Sequence, residues 1–236
     1  MDLATLSKRN AARWAAAKVT RDAMAVARRA VEPAAKVRYQ LIAQQTTVPW
    51  FIIAVIHYRE ASQSWSASLA QGDPWDRMSI HVPKGRGPFT SFQAAAVDAL
   101  TNCAPHAAKW RDWSPGGAMT LLELYNGLGY ADRGLPSPYV WSGTDQYVKG
   151  KFTRDNFFDP NVVDQQLGCA CILKTMMQLD PSITFTGAVI SPVPSPVGTP
   201  RPVPYPPPAS GSPPNLTVWG RLASFILSLF KRKPNG

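Results

Sequence analysis

The chain has 236 residues, of which 45% are hydrophobic, and a formal net charge of +10. It can build one sizeable domain or two small ones, but its 23 prolines are too many for one compact domain. The charge implies an anionic partner or surface: nucleic acid, acidic lipid or bacterial cell-wall polymer. Three cysteines without paired CxxC spacing argue against a disulfide framework and a zinc site, so we expect each to be a small buried apolar residue.

Basic residues and alanines dominate residues 1–45, which are predicted to be helical with a break at Glu32-Pro33. The positive charge would allow this segment to lie on an anionic surface. We favour the alternative, a solvated helical segment that packs on the rest of the protein through its few large apolar side chains.

A strongly apolar helix is predicted next, over residues 48–60, with Thr46 and Thr47 as candidate caps. Its apolar block is too short to cross a bilayer, so it reads as a helix buried in a core. Glu60 stands at its end, before small polar residues that can terminate the helix. Burial at this place would raise the pKa of Glu60 and keep the carboxyl protonated near neutral pH, as a general acid requires. The alternative is a surface pair with Arg59 or another cation.

Beyond this helix, further helices alternate with two long loops that are rich in Gly, Pro and aromatic residues. The body is therefore predicted to be mainly α, with room for a small β-hairpin. The remaining predicted elements are a loop over 66–92 with an irregular hairpin near Met78–Val82, a helix over Ser91–Cys103, a short helix ending at Tyr125-Asn126-Gly127, a loop over 131–160 and a helix over Val162–Leu179.

Composition changes sharply after the body, which we place at residues 1–185. Residues 186–214 form a proline-rich linker, an extended and partly stiff spacer. Residues 215–236 carry apolar residues at helical spacing and end in a cationic cluster. The apolar run of about fifteen residues is short of the roughly twenty needed to span a bilayer. We predict a helix that lies on the surface of an anionic membrane; the alternative interpretation is a short or tilted membrane anchor.

The chain resembles the lysozyme superfamily through a buried helix that delivers Glu60-Ala61-Ser62 and a later helix that ends in Tyr125-Asn126-Gly127. It looks most similar to goose-type lysozymes and soluble lytic transglycosylases. Over about residues 10–180 the ordered strings HYREAS, QGDPWDR, GRGPF, YNGLGY, SPYVWSGTDQY and DQQLGCA are similar to phage and prophage endolysins. The resemblance implies a lysozyme-like α-rich fold that cleaves the β-1,4 bond between N-acetylmuramic acid and N-acetylglucosamine.

Cleavage of a glycosidic bond needs an acid that protonates the leaving oxygen, and Glu60 is the candidate for that role. A second carboxylate would activate water or stabilise positive charge, and Asp73 and Asp76 are the first choices, with Glu123 in reserve. The short spacing between Glu and Asp or Cys that some phage lysozymes show is absent here. If the chain acts as a transglycosylase no second carboxylate is required, because the muramyl 6-hydroxyl attacks.

Aromatic faces and neutral hydrogen-bonding groups suit the recognition of sugars. The predicted substrate-binding residues are Tyr125, Asn126, Trp141, Gln146 and Tyr147. The histidines show no metal-binding spacing, and we predict neither a metal nor another cofactor.

The expected partners are peptidoglycan strands and an anionic membrane surface, the latter through residues 215–236, with no nucleic acid and a monomeric protein. Residues 1–20 lack the apolar segment of a signal peptide. We therefore expect synthesis in a bacterial host cytoplasm and action at the cell wall or periplasm. The alternative function is that of a non-catalytic cationic protein with a lysozyme-like fold that binds cell wall or nucleic acid or serves a structural role.

Overall fold

The structure, a computed structural model, describes residues 2–154 and 157–185. There the chain is mainly α, as predicted, with one two-stranded antiparallel sheet. The predicted linker over 186–214 and the predicted helix over 215–236 lie outside the described residues. The elements are α1 (Leu3–Ala16), α2 (Met24–Val31), α3 (Pro33–Thr46), α4 (Trp50–Ala61), α5 (Phe92–Asn102), α6 (Pro115–Asn126), α7 (Pro138–Trp141), β1 (Lys151–Arg154), β2 (Phe157–Asp159) and α8 (Cys169–Leu179).

Helix α4 is the centre of the core. Every side chain over residues 51–56 is buried, so the helix is apolar on all faces, as expected of one surrounded by other elements. It ends where Ser62 adopts a positive φ of 51° and the Gln63 amide donates to the His57 carbonyl at 3.2 Å. The predicted threonine cap was wrong, because the Thr46 hydroxyl donates to the Ile42 carbonyl in its own helix.

Two helix boundaries follow the sequence signals closely. The break at Glu32-Pro33 is confirmed, since α2 ends at Val31 and α3 begins with the proline, whose missing N–H is no loss in a first turn. The helix predicted over Ser91–Cys103 is confirmed as α5, capped by the Ser91 hydroxyl, which accepts from the Ala94 amide at 3.1 Å.

Helices α1 and α6 pack at close range through a glycine. A Cβ at Gly116 would lie 2.4 Å from the Ser7 carbonyl oxygen, so no larger residue fits unless one helix moves. Helix α6 begins at the Ser114 cap and ends at Gly127, which has a positive φ of 92°. Its buried middle carries Glu123, and its last turn carries Tyr125 and Asn126.

The structure corrects two further predictions of local structure. The chain near Met78–Val82 forms no strand; the hairpin is instead β1–β2, in which Phe152 pairs with Phe158. The last helix begins at Cys169 rather than Val162. Residues 162–168 are not helical because distant side chains bind their carbonyls: Arg59, for example, donates to the Leu167 carbonyl at 3.1 Å.

All three cysteines are buried and unpaired, which confirms their predicted role as small apolar residues. Within residues 2–154 and 157–185, no helix combines the length and the apolar character needed to cross a membrane.

Candidate functional site

Glu60 lies in the last turn of α4 and is only partly exposed. The Tyr139 hydroxyl, at the start of α7, donates a hydrogen bond to Glu60 Oε1 at 2.8 Å. Burial raises the pKa of Glu60 to about 7, although the Tyr139 hydrogen bond and the charge of Arg59 both pull it down. The carboxyl therefore holds a proton in a substantial fraction of molecules at neutral pH, and part of its surface is open.

Two tyrosines from different helices face this carboxyl. The pKa of Tyr125, in the last turn of α6, is raised well above its ordinary value, first by burial and then by the charge of Glu60. The same two causes act in the same order on Tyr139. Both phenols therefore stay protonated and can donate hydrogen bonds. Tyr125 and Asn126 were predicted together as substrate-binding residues. Tyr125 lies close enough to Glu60 for the charge of Glu60 to act on its pKa, and Asn126 is the last residue of α6 and is partly exposed.

The loop over residues 66–90 packs against the end of α4 at one glycine. Gly72 has a φ of +72°, and a Cβ built on it would lie 2.7 Å from the Glu60 carbonyl oxygen. A side chain at this position would be both strained and in collision with backbone. The loop therefore approaches the backbone at the end of α4 as closely as a glycine allows.

Of the two predicted second carboxylates, one is engaged within its own loop and the other is exposed. Asp73 is buried and accepts from the amides of Ile80 and His81, both at 2.9 Å, and its other oxygen lies 2.6 Å from His81 Nδ1. Asp76 points into solvent with 61% of its side chain exposed, 3.5 Å from Arg77. Asp73 thus organises its own loop, and neither aspartate is among the groups whose charge acts on Glu60.

Glu123, the reserve candidate, is a second buried acid. It is 1% exposed, and Trp141 Nε1 donates to its Oε1 at 3.4 Å. Burial raises its pKa to about 7, against the Trp141 hydrogen bond and the charge of Arg13. Glu123 shares the titration range of Glu60 but is closed to any ligand the size of a sugar.

The predicted sugar-binding set needs correction at two positions. Trp141 is fully buried, and Tyr147 is 7% exposed with its hydroxyl donating to the Gly150 carbonyl at 3.2 Å. Neither ring offers a face on which a sugar could stack. Gln146 is partly exposed, and its amide donates to Asp145 at 3.0 Å, so it belongs to a surface turn.

His57, one turn before Glu60, is a satisfied core histidine. Its Nε2 donates to the Ser64 carbonyl at 2.9 Å, which leaves Nδ1 to accept from the Tyr39 hydroxyl at 2.9 Å. Burial lowers its pKa to about 4. The ring stays neutral and takes no part in proton transfer at Glu60.

Tyr139 is the main residue that the sequence prediction missed. Its only local signal is its place directly after Ser137-Pro138, which is the start of α7. The contact with Glu60 joins residues 79 positions apart, a separation at which spacing carries no information.

In the part of the chain that the structure describes, no group of three or more His, Cys, Asp or Glu side chains could hold a metal ion. Comparisons with protein-family models, with curated proteins and with solved structures found no match to the chain.

Proposed function

We propose that the protein is a peptidoglycan-degrading enzyme of the endolysin type, in which Glu60 is the general acid that protonates the oxygen of the departing sugar. The bond cleaved is the β-1,4 linkage between N-acetylmuramic acid and N-acetylglucosamine. The observation that carries the proposal is the Glu60 carboxyl itself: burial raises its pKa to about 7, one of its oxygens accepts from Tyr139 at 2.8 Å, and it remains partly exposed.

The chemistry follows from this setting. An oxocarbenium-like transition state places negative charge on the leaving oxygen, and a carboxylic acid that is still protonated near pH 7 can neutralise it. Tyr139 holds one oxygen of Glu60, which leaves the other to carry the proton toward the glycosidic bond. Tyr125 and Asn126, at the end of α6, supply a phenol and an amide for hydrogen bonds to the sugar.

The second step differs between two classes of enzyme. Asp73 is engaged by its own loop and Asp76 is exposed beside Arg77, so neither is poised beside Glu60. This favours attack by the muramyl 6-hydroxyl, which would give its proton to the Glu60 carboxylate left by the first step, over attack by a water that a second carboxylate activates. Mass spectrometry of the released muropeptides separates the two, because a 1,6-anhydro end marks the first and a reducing end marks the second.

The substitution Glu60→Gln tests the proposal, with Glu123→Gln as the matched control for loss of a buried acid. Glu60→Gln should reduce the release of muropeptides from purified peptidoglycan by about 10²-fold or more, with binding to the wall retained. Glu123→Gln should retain activity. Full activity in Glu60→Gln would refute the assignment. Wall or nucleic-acid binding without any lysis by the wild type would instead favour a non-catalytic cationic protein.

We also propose that residues 215–236 hold the enzyme at an anionic membrane surface, on the basis of their apolar spacing and cationic end. Equal binding to neutral vesicles and to vesicles with acidic lipid would contradict this.

A further inference from the structure

A buried ion cluster lies behind the end of α4. The side chains of Arg59 and Asp164 are each 1% exposed, and Arg59 Nη2 lies 3.3 Å from Asp164 Oδ2. The other oxygen of Asp164 lies 2.8 Å from Lys151 Nζ, whose side chain is 17% exposed. Burial would raise the pKa of Asp164, but Arg59 and Lys151 outweigh it and hold that pKa below its ordinary value. Asp164 is therefore an anion shared by two cations.

The cluster is connected to Glu60 through Tyr139. The Arg59 guanidinium carbon lies 4.6 Å from the centre of the Tyr139 ring, and the Tyr139 hydroxyl donates to Glu60 at 2.8 Å. A cation over an aromatic face is attracted to the ring and helps to fix its position. Asp164 holds the guanidinium in that place through its contact with Arg59 Nη2.

The groups around Glu60 come from four helices. Arg59 on α4 is the cation whose charge acts on it, Tyr139 on α7 donates to it, and its own charge acts on Tyr125 of α6 and Cys169 of α8. The pKa values of the two tyrosines and of Cys169 are raised, so all three stay neutral beside Glu60. Burial and the Tyr139 hydrogen bond act most strongly on the Glu60 proton, and Arg59 is the cation that acts on it after them.

The charge of the cluster explains why Asp164 matters. Arg59 and Lys151 each bring a positive charge to the cluster, and Asp164 brings a negative charge that both of them contact. Removal of Asp164 would take a negative charge from beside Arg59 and would favour the ionised form of Glu60. Removal of Lys151 would leave Asp164 to neutralise Arg59 alone and would favour the protonated form.

We propose that Asp164 is a positioning residue for Glu60: it holds Arg59 against the Tyr139 ring and screens the Arg59 charge, so that the Glu60 carboxyl keeps its proton, while Lys151 opposes this screening. The part of the proposal that concerns activity rests on the proposed function. The part that concerns the proton of Glu60 does not.

Two substitutions should act in opposite directions. In Asp164→Asn the alkaline limb of the pH profile of kcat/KM should move to lower pH, and in Lys151→Gln to higher pH. Lys149→Gln is the matched control: it removes the same charge two residues from Lys151, where Lys149 is bound to Asn161 at 3.0 Å on the surface. The control should shift the limb by much less than Lys151→Gln. A merely structural role would lower the rate without opposite shifts.

A second measurement separates this proposal from the proposed function. The side-chain carboxyl carbon of Glu60, followed by NMR against pH in the full chain, reports protonation without any substrate. Opposite shifts of its midpoint in Asp164→Asn and Lys151→Gln support the proposal even if no variant cleaves peptidoglycan. Shifts in the same direction, or none, overturn it. If Asp164→Asn does not fold, Lys151→Gln decides alone: an upward shift supports the proposal and an unchanged midpoint overturns it.

Discussion

Two side chains of α7 each donate a hydrogen bond to a glutamate with a raised pKa, but only one of the two glutamates is closed to solvent. Tyr139 donates to Glu60 at 2.8 Å, and Trp141, two residues on, donates to Glu123 at 3.4 Å. Burial raises the pKa of both acids to about 7. Only Glu60 keeps part of its surface open, whereas Glu123 is 1% exposed. A shifted pKa therefore does not identify a catalytic acid unless a substrate can also reach it.

The largest expected effect that distinguishes the Glu123 site from the Glu60 site is a change in how the stability of Glu123→Gln depends on pH. The folded state holds a proton on Glu123 up to a pH of about 7, whereas the unfolded chain releases it near the ordinary value of 4.5. The free energy of unfolding of the wild type therefore falls as pH rises from 4.5 through 7, by about 3 kcal/mol for a group this closed.

Glutamine does not titrate, so in Glu123→Gln this part of the fall should disappear. Denaturant unfolding of both proteins at pH 5 and pH 8 measures it, and Asp76→Asn, on the surface, serves as the control. Parallel pH dependence in wild type and Glu123→Gln would mean that Glu123 ionises at no cost in the folded state, which would break the comparison.

The sequence predicts the position of Glu60 at a helix end but not the groups around it, for a physical reason. The apolar block before Glu60 and the small residues after it are local features, and they predict a partly buried carboxyl at a helix end. The same holds for the break at Glu32-Pro33. Whether an aromatic residue such as Trp141 lies in the core or lines a cleft depends on packing between distant elements, and a single sequence carries no such information.

Asp73, in the loop after α4, is a second residue whose surroundings the sequence could not predict. Asp73 was predicted as a partner of Glu60 because a loop carboxylate follows the helix. In the structure its three bonds go to residues seven and eight positions further on, Ile80 and His81. A loop that carries its own carboxylate anchor cannot be distinguished by composition from one that offers the carboxylate to a substrate.

The next largest effect is expected in the activity of Tyr139→Phe, the variant that removes the α7 hydrogen bond to Glu60. Tyr139→Phe should lower kcat about tenfold, equal to about 1.4 kcal/mol, because Glu60 loses the hydrogen bond that orients it. That bond also lowers the pKa of Glu60. Its loss should therefore move the alkaline limb of the pH profile to higher pH.

Trp141→Phe is the matched change at the other glutamate. It should reduce thermal stability and leave the activity of the folded fraction unchanged, with no displacement of the pH profile. Steady-state rates across pH for both variants check the pair. Equal changes in the two profiles would show that α7 acts on activity only through the general packing of the core.

The smallest effect is expected at Asp76, an exposed acid that serves as the reference for the two glutamates. Asp76→Asn removes a carboxylate that is 61% exposed, so stability should change by no more than about 0.5 kcal/mol and the rate of muropeptide release by no more than about twofold. The Arg77 partner gives little reason for more, because surface ion pairs contribute little. If a folded Asp76→Asn lost its activity instead, cleavage would need two carboxyl groups, one from the helix end and one from the loop. The attack by the muramyl 6-hydroxyl would then give way to hydrolysis by an activated water, and the released ends would have to be reducing.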